Sequence, residues 1–292
     1  MNNPILALDF GGTKLSVAVI NGVPTNERPR RLEVRRAFTP DGADATYELA
    51  ATLRLARELL AGRAPAAVGV SFGGPVDYPR GLVRLSHHVR GWQGVPLRDV
   101  LVREFGCPAV VDNDANVAAL GEHRFGAGRG VDDLMYVTVS TGVGGGWVLG
   151  GRPWRGHDGM AGEIGHTVVD PAGPLCLCGK RGCVERLASG PYMAADYEEE
   201  RGRRGEGEKG RRRMTGKDMA EAAVAGDETA REILLRGAWA LGVGLGNAAN
   251  LINPQRFVLG GGVTKSGELW WKEVRRAARE TALPEVLFDV VP

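Results

Sequence analysis

The sequence predicts an α/β protein with two lobes, because one pattern occurs twice. Near the start, a strand at Ile5–Phe10 is followed by a glycine turn and a second strand at Lys14–Ile20. The pattern returns where a strand at Leu134–Ser140 enters the glycine-rich run STGVGGG. Two halves that begin alike indicate duplicated lobes that face a shared ligand-binding cleft. A chain of 292 residues is long enough for two such domains.

The order of the other elements supports an α/β fold and sets the predicted domain boundary. Apolar strands alternate with helices through both halves of the chain. We predict an N-terminal α/β lobe over residues 1–112 and a C-terminal α/β lobe over residues 113–292. The further predicted elements are strand Leu32–Phe38, helix Asp44–Ala61, strand Ala66–Phe72, helix Leu97–Phe105, strand Ala109–Val111, helix Ala115–Phe125, strand Trp147–Leu149, helices Thr215–Ala225 and Glu228–Leu251, strand Arg256–Leu259, helix Glu268–Thr281 and strand Val286–Val291.

Composition and charge exclude several classes of protein. Lys and Arg total 37 against 35 for Asp and Glu, and a net charge of +2 is too small for a dedicated nucleic-acid or membrane binder. The sequence has neither a run of eighteen apolar residues nor a signal-peptide pattern, so we expect a cytoplasmic protein. Four cysteines are too few for a disulfide framework in a chain of this length.

One low-complexity stretch is strongly charged. Residues 198–213 read EEERGRRGEGEKGRRR, and we interpret them as a mobile surface loop. A nucleic-acid contact is the alternative, but the interleaved glutamates oppose it.

Three glycine turns follow predicted strands and are typical of phosphate binding. The first, DFGGTK, places the carboxylate of Asp9 at the end of a strand and two glycines directly after it. Backbone N–H groups of bare glycine turns can approach phosphate oxygens closely. A plain hairpin turn is the alternative for any one of them. Three such turns, the others at 141–146 and 260–262, favour a nucleotide site.

A second polar motif, Asp112-Asn113-Asp114-Ala115-Asn116, comes directly after an apolar strand. Asp and Asn are common helix N-caps, which is the alternative interpretation. Three such residues exceed what a cap needs. Phosphoryl transfer to an alcohol requires a carboxylate that accepts the hydroxyl proton, so we predict Asp114 as the general base and Asn113 as the amide that orients the acceptor.

The densest motif is a group of metal-binding residue types. His166, Cys176, Cys178 and Cys183 supply one imidazole and three thiolates, which is a closed tetrahedral set for structural Zn²⁺. We therefore predict a zinc loop over residues 166–185. Three free cysteines in a core are the alternative, and the charged residues between them oppose it. Glu163 and Glu185 flank this loop, so metal binding would bring together two carboxylates that can hold polyol hydroxyls.

Together these motifs resemble the ROK family of sugar kinases, particularly its bacterial glucokinase-like members. The resemblance rests on DFGGTK, the glycine turn before Val76-Asp77, DNDAN, STGVGGG, AGEIGH, the CxCGxxGCxE metal loop and GGGV, in the family's order over residues 9–263. It implies an α/β protein with the two-lobed actin-like ATPase (ribonuclease H-like) fold and a structural zinc loop.

The resemblance also implies roles for individual residues. The catalytic base is Asp114, and the metal ligands are His166, Cys176, Cys178 and Cys183. The implied sugar contacts are Gly74, Asn113, Asp114, Glu163, His166 and Glu185. The implied ATP-binding residues are Asp9, Gly11, Gly12, Thr13, Lys14, Thr141, Gly142, Gly144, Gly145, Gly260, Gly261 and Gly262.

The activity implied by the resemblance is an ATP- and Mg²⁺-dependent transferase of carbohydrate metabolism that converts glucose to glucose 6-phosphate, the entry step of glycolysis. An N-acetylmannosamine or N-acetylglucosamine kinase is the nearest alternative. A sugar-responsive regulator of the same family would carry a helix-turn-helix before Asp9, and only eight residues precede it here. A regulatory ATPase without a sugar site is opposed by Glu163, His166 and Glu185. Family members are commonly homodimers or homotetramers, so we expect one of these assemblies.

Two departures from the family pattern stand out. Glucokinase-like members usually have an Asn before the Gly-Trp pair, whereas this segment reads SHHVRGW at residues 86–92. The resemblance therefore does not fix the preferred stereochemistry of the sugar. The family usually continues into a further glycine- and alanine-rich helix, and this sequence ends at Pro292. A truncated or alternatively ended gene product is one hypothesis for the difference.

Overall fold

The computed structural model describes residues 3–20, 31–86, 88–204 and 213–292, and the side chains of Arg31 and Leu32 lie outside that description. The chain forms two compact units. Unit 1 contains Met1–Ala118 together with Arg155–Ala161, and unit 2 contains Ala119–Trp154 together with Gly162–Pro292. The division therefore falls after Ala118, whereas the sequence predicted it after Asp112. The short return of the chain into unit 1 was not predicted.

Unit 1 is built on a five-stranded sheet. Its elements in chain order are β1 (Ile5–Phe10), β2 (Lys14–Ile20), β3 (Arg31–Phe38), α1 (Ala45–Leu60), β4 (Ala67–Phe72), β5 (Val76–Asp77), β6 (Leu82–Val83), α2 (Leu97–Phe105), β7 (Ala109–Asn113) and the start of α3 (Asp114–Phe125). The strand order is β3-β2-β1-β4-β7. Strands β1, β2 and β3 pair antiparallel, and β1, β4 and β7 pair parallel. Strands β5 and β6 form a separate hairpin.

Burial alternates along β1, the central strand of this sheet. Leu6, Leu8 and Phe10 on β1 are fully buried, and the residues between them are half-buried, as expected for strands with one face in the core. Helix α1 packs on this core through Leu55 and Leu59. Its first turn is capped by Asp44, whose side chain accepts a hydrogen bond from the Tyr47 N–H.

Unit 2 has a five-stranded sheet of its own. Its elements after α3 are β8 (Leu134–Val139), β9 (Val143–Leu149), β10 (Arg152–Trp154), a 3-10 turn (Ile164–His166), α4 (Val184–Ala188), α5 (Gly190–Arg203), α6 (Gly216–Val224), α7 (Glu228–Ile252), β11 (Arg256–Gly260), a second 3-10 turn (Val263–Lys265), α8 (Glu268–Thr281) and β12 (Asp289–Val291). The strand order is β10-β9-β8-β11-β12. Strands β8, β9 and β10 pair antiparallel, and β8, β11 and β12 pair parallel.

The two sheets share one topology. In each, the third, second and first strands are antiparallel neighbours, and the fourth and fifth strands follow in parallel. The repeat seen in the sequence is thus a repeat of the whole sheet. This confirms the prediction of a duplicated α/β architecture.

Three predicted elements differ from the structure. The return strand predicted at Trp147 begins at Val143, so Gly144, Gly145 and Gly146 lie in β9 and not in the turn. The predicted loop at 198–213 is wrong over residues 198–203, which complete α5, while residues 205–212 lie outside the described residues. The final strand starts at Asp289 and not at Val286.

Two ion pairs explain why the end of α5 is helical. Arg203 pairs with Glu199 at 2.5 Å and with Glu200 at 3.4 Å, which are the i,i+4 and i,i+3 spacings that stabilise a helix. None of the described helices is both long and apolar enough to span a membrane.

Candidate active site

The carboxyl ends of three parallel strands bring together the first predicted site residues. In the sheet of unit 1, Asp9 on β1 is paired with Ser71 on β4, which is paired with Asp112 on β7. The Ser71 hydroxyl donates a hydrogen bond of 2.9 Å to Asp9 Oδ1. Parallel strand order therefore places two carboxylates in one row at the edge of the sheet, where α/β proteins bind ligands.

Asn113 ends β7 and joins two parts of this edge. Its Nδ2 donates to the carbonyl oxygen of Gly74 at 3.1 Å, and its Oδ1 accepts from the backbone N–H of Ala115 at 3.0 Å. The predicted N-cap is thus present, and the same side chain holds the loop after β4. Gly74 leaves no room for a side chain, because a Cβ there would lie 2.5 Å from the Leu85 carbonyl oxygen.

Asp114 is the first residue of α3. Burial raises the pKa of its carboxyl above the usual range, hydrogen bonding from the Ala115 N–H opposes this, and the negative charge of Asp9 raises the pKa further. Asp114 Oδ1 accepts from that N–H at 2.8 Å. A carboxylate with raised proton affinity at a strand end has the properties of a general base.

The neighbouring Asp112 is held by an arginine that the sequence did not identify. Asp112 is 7% exposed, and its Oδ2 accepts from Nε of Arg155 at 2.9 Å and from Nη2 at 2.6 Å. The guanidinium lies 3.5 Å from the centre of the Tyr78 ring. Arg155 opens the segment that returns to unit 1, and no local motif marks it.

The first glycine turn connects β1 to β2. Gly11 N–H donates to the Lys14 carbonyl at 3.2 Å, and Thr13 N–H donates to the Gly11 carbonyl at 2.8 Å. Gly12 has φ +70°, and a Cβ there would lie 2.8 Å from the His88 Cβ. His88 therefore packs on this turn. It belongs to the segment that departs from the family pattern, and His87 lies outside the described residues.

In unit 2 the second glycine turn is short and is tied to a carboxylate. It comprises residues 140–142 between β8 and β9, and Ser140 N–H donates to the Gly142 carbonyl at 2.9 Å. Val143 N–H donates to Oε2 of Glu185 at 2.9 Å. Thr141 and Gly142 thus keep their predicted place in a turn, beside a predicted sugar contact.

Gly145 instead lies inside β9, opposite Val137 of β8. A side chain at Gly145 would collide with Met135 and would lie 2.8 Å from the Gly162 carbonyl oxygen. Gly162 has φ +96°, and a side chain there would collide with the Gly145 carbonyl. This close approach of two backbones fixes the chain directly before Glu163, so Gly145 supports a predicted sugar contact rather than a turn.

A cavity of about 840 Å³ lies in unit 2 beside this turn and the glycines after β11. Among the predicted residues, Thr141 and Gly262 line it. Gly261 has φ +98° and approaches the Val139 carbonyl. The lining residues that the sequence did not identify are Ser140, Gly190, Pro191, Arg213, Met214, Thr215, Gly216, Lys217, Ala220, Glu221, Val224, Val263, Lys265, Ser266 and Gly267.

The four predicted metal ligands meet in space. One ligand atom each from His166, Cys176, Cys178 and Cys183 lies within 4.8 Å of the others. The His166 Nδ1 is buried, and among the described residues it has no hydrogen-bond partner. The Cys178 and Cys183 sulfurs are 3.5 Å apart. An orphaned imidazole nitrogen beside three thiols fits a zinc ion, which prefers N and S ligands.

The pKa values of the three thiols differ with their surroundings. Burial raises the pKa of Cys183 to about 12 and raises that of Cys176. The Lys180 backbone N–H lowers the pKa of the exposed Cys178 to about 7. A bound metal ion would favour the thiolate at all three positions.

The predicted site residues therefore form two groups. Unit 1 holds Asp9, Gly11, Gly12, Thr13, Lys14, Gly74, Asn113 and Asp114, and unit 2 holds Thr141, Gly142, Gly144, Gly145, Glu163, His166, Glu185, Gly260, Gly261, Gly262 and the three cysteines. Most members of each group lie at strand ends or in loops of their own unit, whereas Gly144 and Gly145 lie inside β9 and Glu185 lies in the first turn of α4.

Comparison with known proteins agrees with this arrangement. The profile of the ROK family matches residues 5–288. The chain belongs to the ROK family. The glucokinase of Halalkalibacterium halodurans is 35% identical over 303 residues, which cover 96% of this chain and 87% of the relative. The N-acetylmannosamine kinase of Shigella flexneri is 35% identical over 263 residues, which cover 89% of this chain and 83% of the relative.

A solved structure gives the same result. The crystal structure of a ROK family glucokinase from Streptomyces griseus in complex with glucose and AMPPNP has a TM-score of 0.80 and 33% identity to this chain, and the alignment covers 99% of this chain and 93% of that one. This ROK protein is therefore an ATP-dependent sugar kinase with the actin-like ATPase fold. The predicted family, fold class and enzyme class are confirmed.

Proposed function

We propose that this ROK kinase transfers the γ-phosphoryl group of ATP to the 6-hydroxyl of glucose, with Asp114 as the general base. The observation that carries the assignment is the Asp114 carboxyl, whose pKa is raised first by desolvation and which follows Asn113 at the end of β7. Asp114 accepts the hydroxyl proton as the sugar oxygen attacks the γ-phosphorus. The bond from that phosphorus to the bridging oxygen breaks, and ADP leaves.

The proposed sugar contacts are polar side chains that can hydrogen-bond hydroxyl groups. In unit 2, Glu163 and Glu185 supply carboxylate acceptors, and the His166 ring nitrogen that does not hold zinc supplies an N–H donor. In unit 1, Asn113 supplies an amide fixed by its bond to Gly74. Buried polar groups that hydrogen-bond hydroxyls reject analogues that lack them, which is the basis of sugar selectivity.

The proposed nucleotide site is the 840 Å³ cavity of unit 2. Its wall combines apolar surface for a nucleoside with Lys217 and Lys265, whose charges suit phosphates. The Thr141 and Gly142 N–H groups, in the turn at 140–142, supply further phosphate donors. Gly260, Gly261 and Gly262 shape the loop at the cavity rim.

Two metal ions complete the proposal. Asp9 offers a carboxylate at the end of β1, and oxygen ligands suit Mg²⁺, which neutralises phosphate charge when it is bound. The His166, Cys176, Cys178 and Cys183 set would hold a structural Zn²⁺, which closes the loop that leads into Glu185.

A second candidate is phosphorylation of an N-acetylhexosamine. The Shigella flexneri kinase supports it, being as similar in percentage identity as the Halalkalibacterium glucokinase. From the family resemblance we also propose a cytoplasmic homodimer or homotetramer, which light scattering after size exclusion would test.

The decisive experiment is ADP release with Mg-ATP and a panel of glucose, mannose, fructose, N-acetylglucosamine and N-acetylmannosamine. Release with the highest kcat/KM on glucose is the expected result. A preference for an acetamido sugar would replace glucose and leave the proposed role of Asp114 intact. ADP release that no sugar stimulates would contradict both proposals.

A further inference from the structure

Glu185 contacts a part of unit 2 that lies outside the proposed sugar contacts. Its Oε2 accepts from the Val143 N–H at 2.9 Å. The same oxygen would lie 2.7 Å from a Cβ built on Gly142, so the carboxylate rests directly against the glycine turn. The turn and the carboxylate therefore cannot move independently.

Helices α4 and α5 hold this turn at a second point. Glu185 stands in the first turn of α4, two positions after the predicted metal ligand Cys183. Ser189 N–H donates to the Glu185 carbonyl at 3.0 Å, and Gly190 N–H donates to the Ser140 carbonyl at 2.9 Å. Both ends of the turn are thus attached to one short stretch of chain, which starts at the metal cluster.

The turn also borders the proposed nucleotide site. Ser140 and Thr141 line the 840 Å³ cavity, and the Thr141 and Gly142 N–H groups are the proposed phosphate donors. The Glu185 carboxylate bonds to Val143, at the other end of the turn. A change at Glu185 is therefore transmitted to backbone donors that would bind phosphate.

We propose that Glu185 is a positioning residue for the phosphate-binding turn and that it couples nucleotide binding to sugar binding. This inference rests on the proposed function, in which Glu185 also contacts the sugar. Sugar binding that restricts the Glu185 carboxylate also restricts the turn. Nucleotide binding that restricts the turn likewise restricts the Glu185 carboxylate. Such coupling is reciprocal by thermodynamic necessity.

The first test measures AMPPNP affinity by calorimetry with no sugar present, in wild type and in Glu185→Gln. The amide keeps the shape but loses the charge-assisted bond to Val143 N–H. We expect AMPPNP to bind about tenfold more weakly. A residue that contacts only sugar would leave this affinity unchanged or raise it, because the variant removes a negative charge near an anionic ligand.

Glu232→Gln is the matched control. Glu232 is exposed on α7 of the same unit and is not among the residues that line the cavity. The substitution makes the same charge change without touching the turn. We expect this control to bind AMPPNP as tightly as wild type or more tightly. Weaker binding in Glu185→Gln alone would then show that Glu185 positions the turn, because the change in net charge is the same in both variants.

The reciprocal test uses Gly142→Ala and measures glucose affinity with no nucleotide present. The added methyl would press on Glu185 Oε2, and we expect glucose to bind about fivefold more weakly. Glucose affinity should also rise with AMPPNP in wild type, and this gain should shrink in Glu185→Gln. Melting temperatures and zinc content serve to show that both variants remain folded.

The outcomes separate this inference from the proposed function. Wild-type protein that binds AMPPNP and a panel sugar other than glucose would contradict the assigned substrate, and the same measurements would then use that sugar. Sugar-free AMPPNP affinity that is equal in wild type and Glu185→Gln would overturn the positioning role. Unaltered sugar affinity in Gly142→Ala would overturn the coupling.

Discussion

Asp112 and Arg155, 43 positions apart, form a nearly buried ion pair in which one carboxylate oxygen accepts two hydrogen bonds. The other oxygen of Asp112 accepts from the Asn113 N–H at 2.9 Å and from Asn116 Nδ2 at 3.1 Å. The carboxylate that precedes Asn113 and the proposed base Asp114 is thereby fixed from two sides.

Arg155→Met is expected to destabilise the protein, because it leaves the charge of Asp112 buried without its partner. Loss of one partner of a buried pair costs about 3–5 kcal/mol in the free energy of unfolding. Urea denaturation measures the change. The double variant Asp112→Asn/Arg155→Met should recover a large part of the loss, since no charge is then left unpaired. Equal stability of the single and double variants would contradict this explanation.

Asp114→Asn is expected to lower kcat by about 10² to 10⁴, the usual contribution of a general base. Glucose affinity should change little, because the amide retains the shape and can still bond to a hydroxyl. Steady-state kinetics and calorimetry measure the two effects. Asp112→Asn is the comparison variant, in which a smaller loss of kcat is expected. Full turnover by Asp114→Asn would remove Asp114 from the mechanism.

The same substitution is expected to stabilise the protein at neutral pH. The pKa of Asp114 is raised in the folded state, so the fold binds this proton more tightly than the unfolded chain does. Wild type then loses stability as the pH rises from the ordinary Asp value of about 3.9 through the raised value. Above that pH range, wild type carries the full loss of stability that comes from ionising the desolvated carboxyl. The neutral Asn side chain does not carry this loss.

Melting curves of wild type and Asp114→Asn between about pH 4 and pH 8 measure this difference. The variant should have the higher melting temperature at neutral pH, and the gap should narrow as the pH falls. A gap that does not depend on pH would mean that the ionised carboxyl is not the cause.

Removal of the metal is expected to lower stability and sugar affinity together. Cys183→Ser deletes a ligand two positions before Glu185, so the start of α4 loses its anchor. Metal analysis should find about one zinc per chain in wild type and less in the variant. Cys107→Ser, at the cysteine that lies in unit 1 apart from the cluster, is the matched control and should keep its zinc. Undiminished glucose binding by zinc-free protein would contradict the proposed link.

Local motifs explain which parts of the site could be predicted from the sequence. The turn after Asp9 and the Asp112–Asn116 stretch each follow a strand directly, so strand prediction alone positions them. The metal ligands lie within eighteen residues and have chemically specific side chains. The duplication of the α/β lobes could be predicted because the strand and glycine pattern is repeated in each half.

Other parts could not be predicted, because their cause lies far along the chain. Arg155 is recognisable only through its pairing with Asp112. The cavity walls at Gly190 and Met214 come from the start of α5 and from the segment before α6, and they carry no motif. The sequence predicts a turn at Gly144 because glycine favours turns. In the structure, the lack of a side chain at Gly145 instead lets the Gly162 backbone approach β9.

Unit 1 is discontinuous in sequence, because Arg155–Ala161 returns to it after part of unit 2. During synthesis, the strand end at Asp112 emerges from the ribosome well before Arg155 does, and the whole Ala119–Trp154 stretch must follow in between. Unit 1 can therefore form the Asp112–Arg155 ion pair only after strands β8, β9 and β10 of the second sheet have been synthesised. Folding of the N-terminal half is thus tied to translation of the C-terminal half, and a fragment that ends at Ala118 would lack the arginine that neutralises its buried carboxylate.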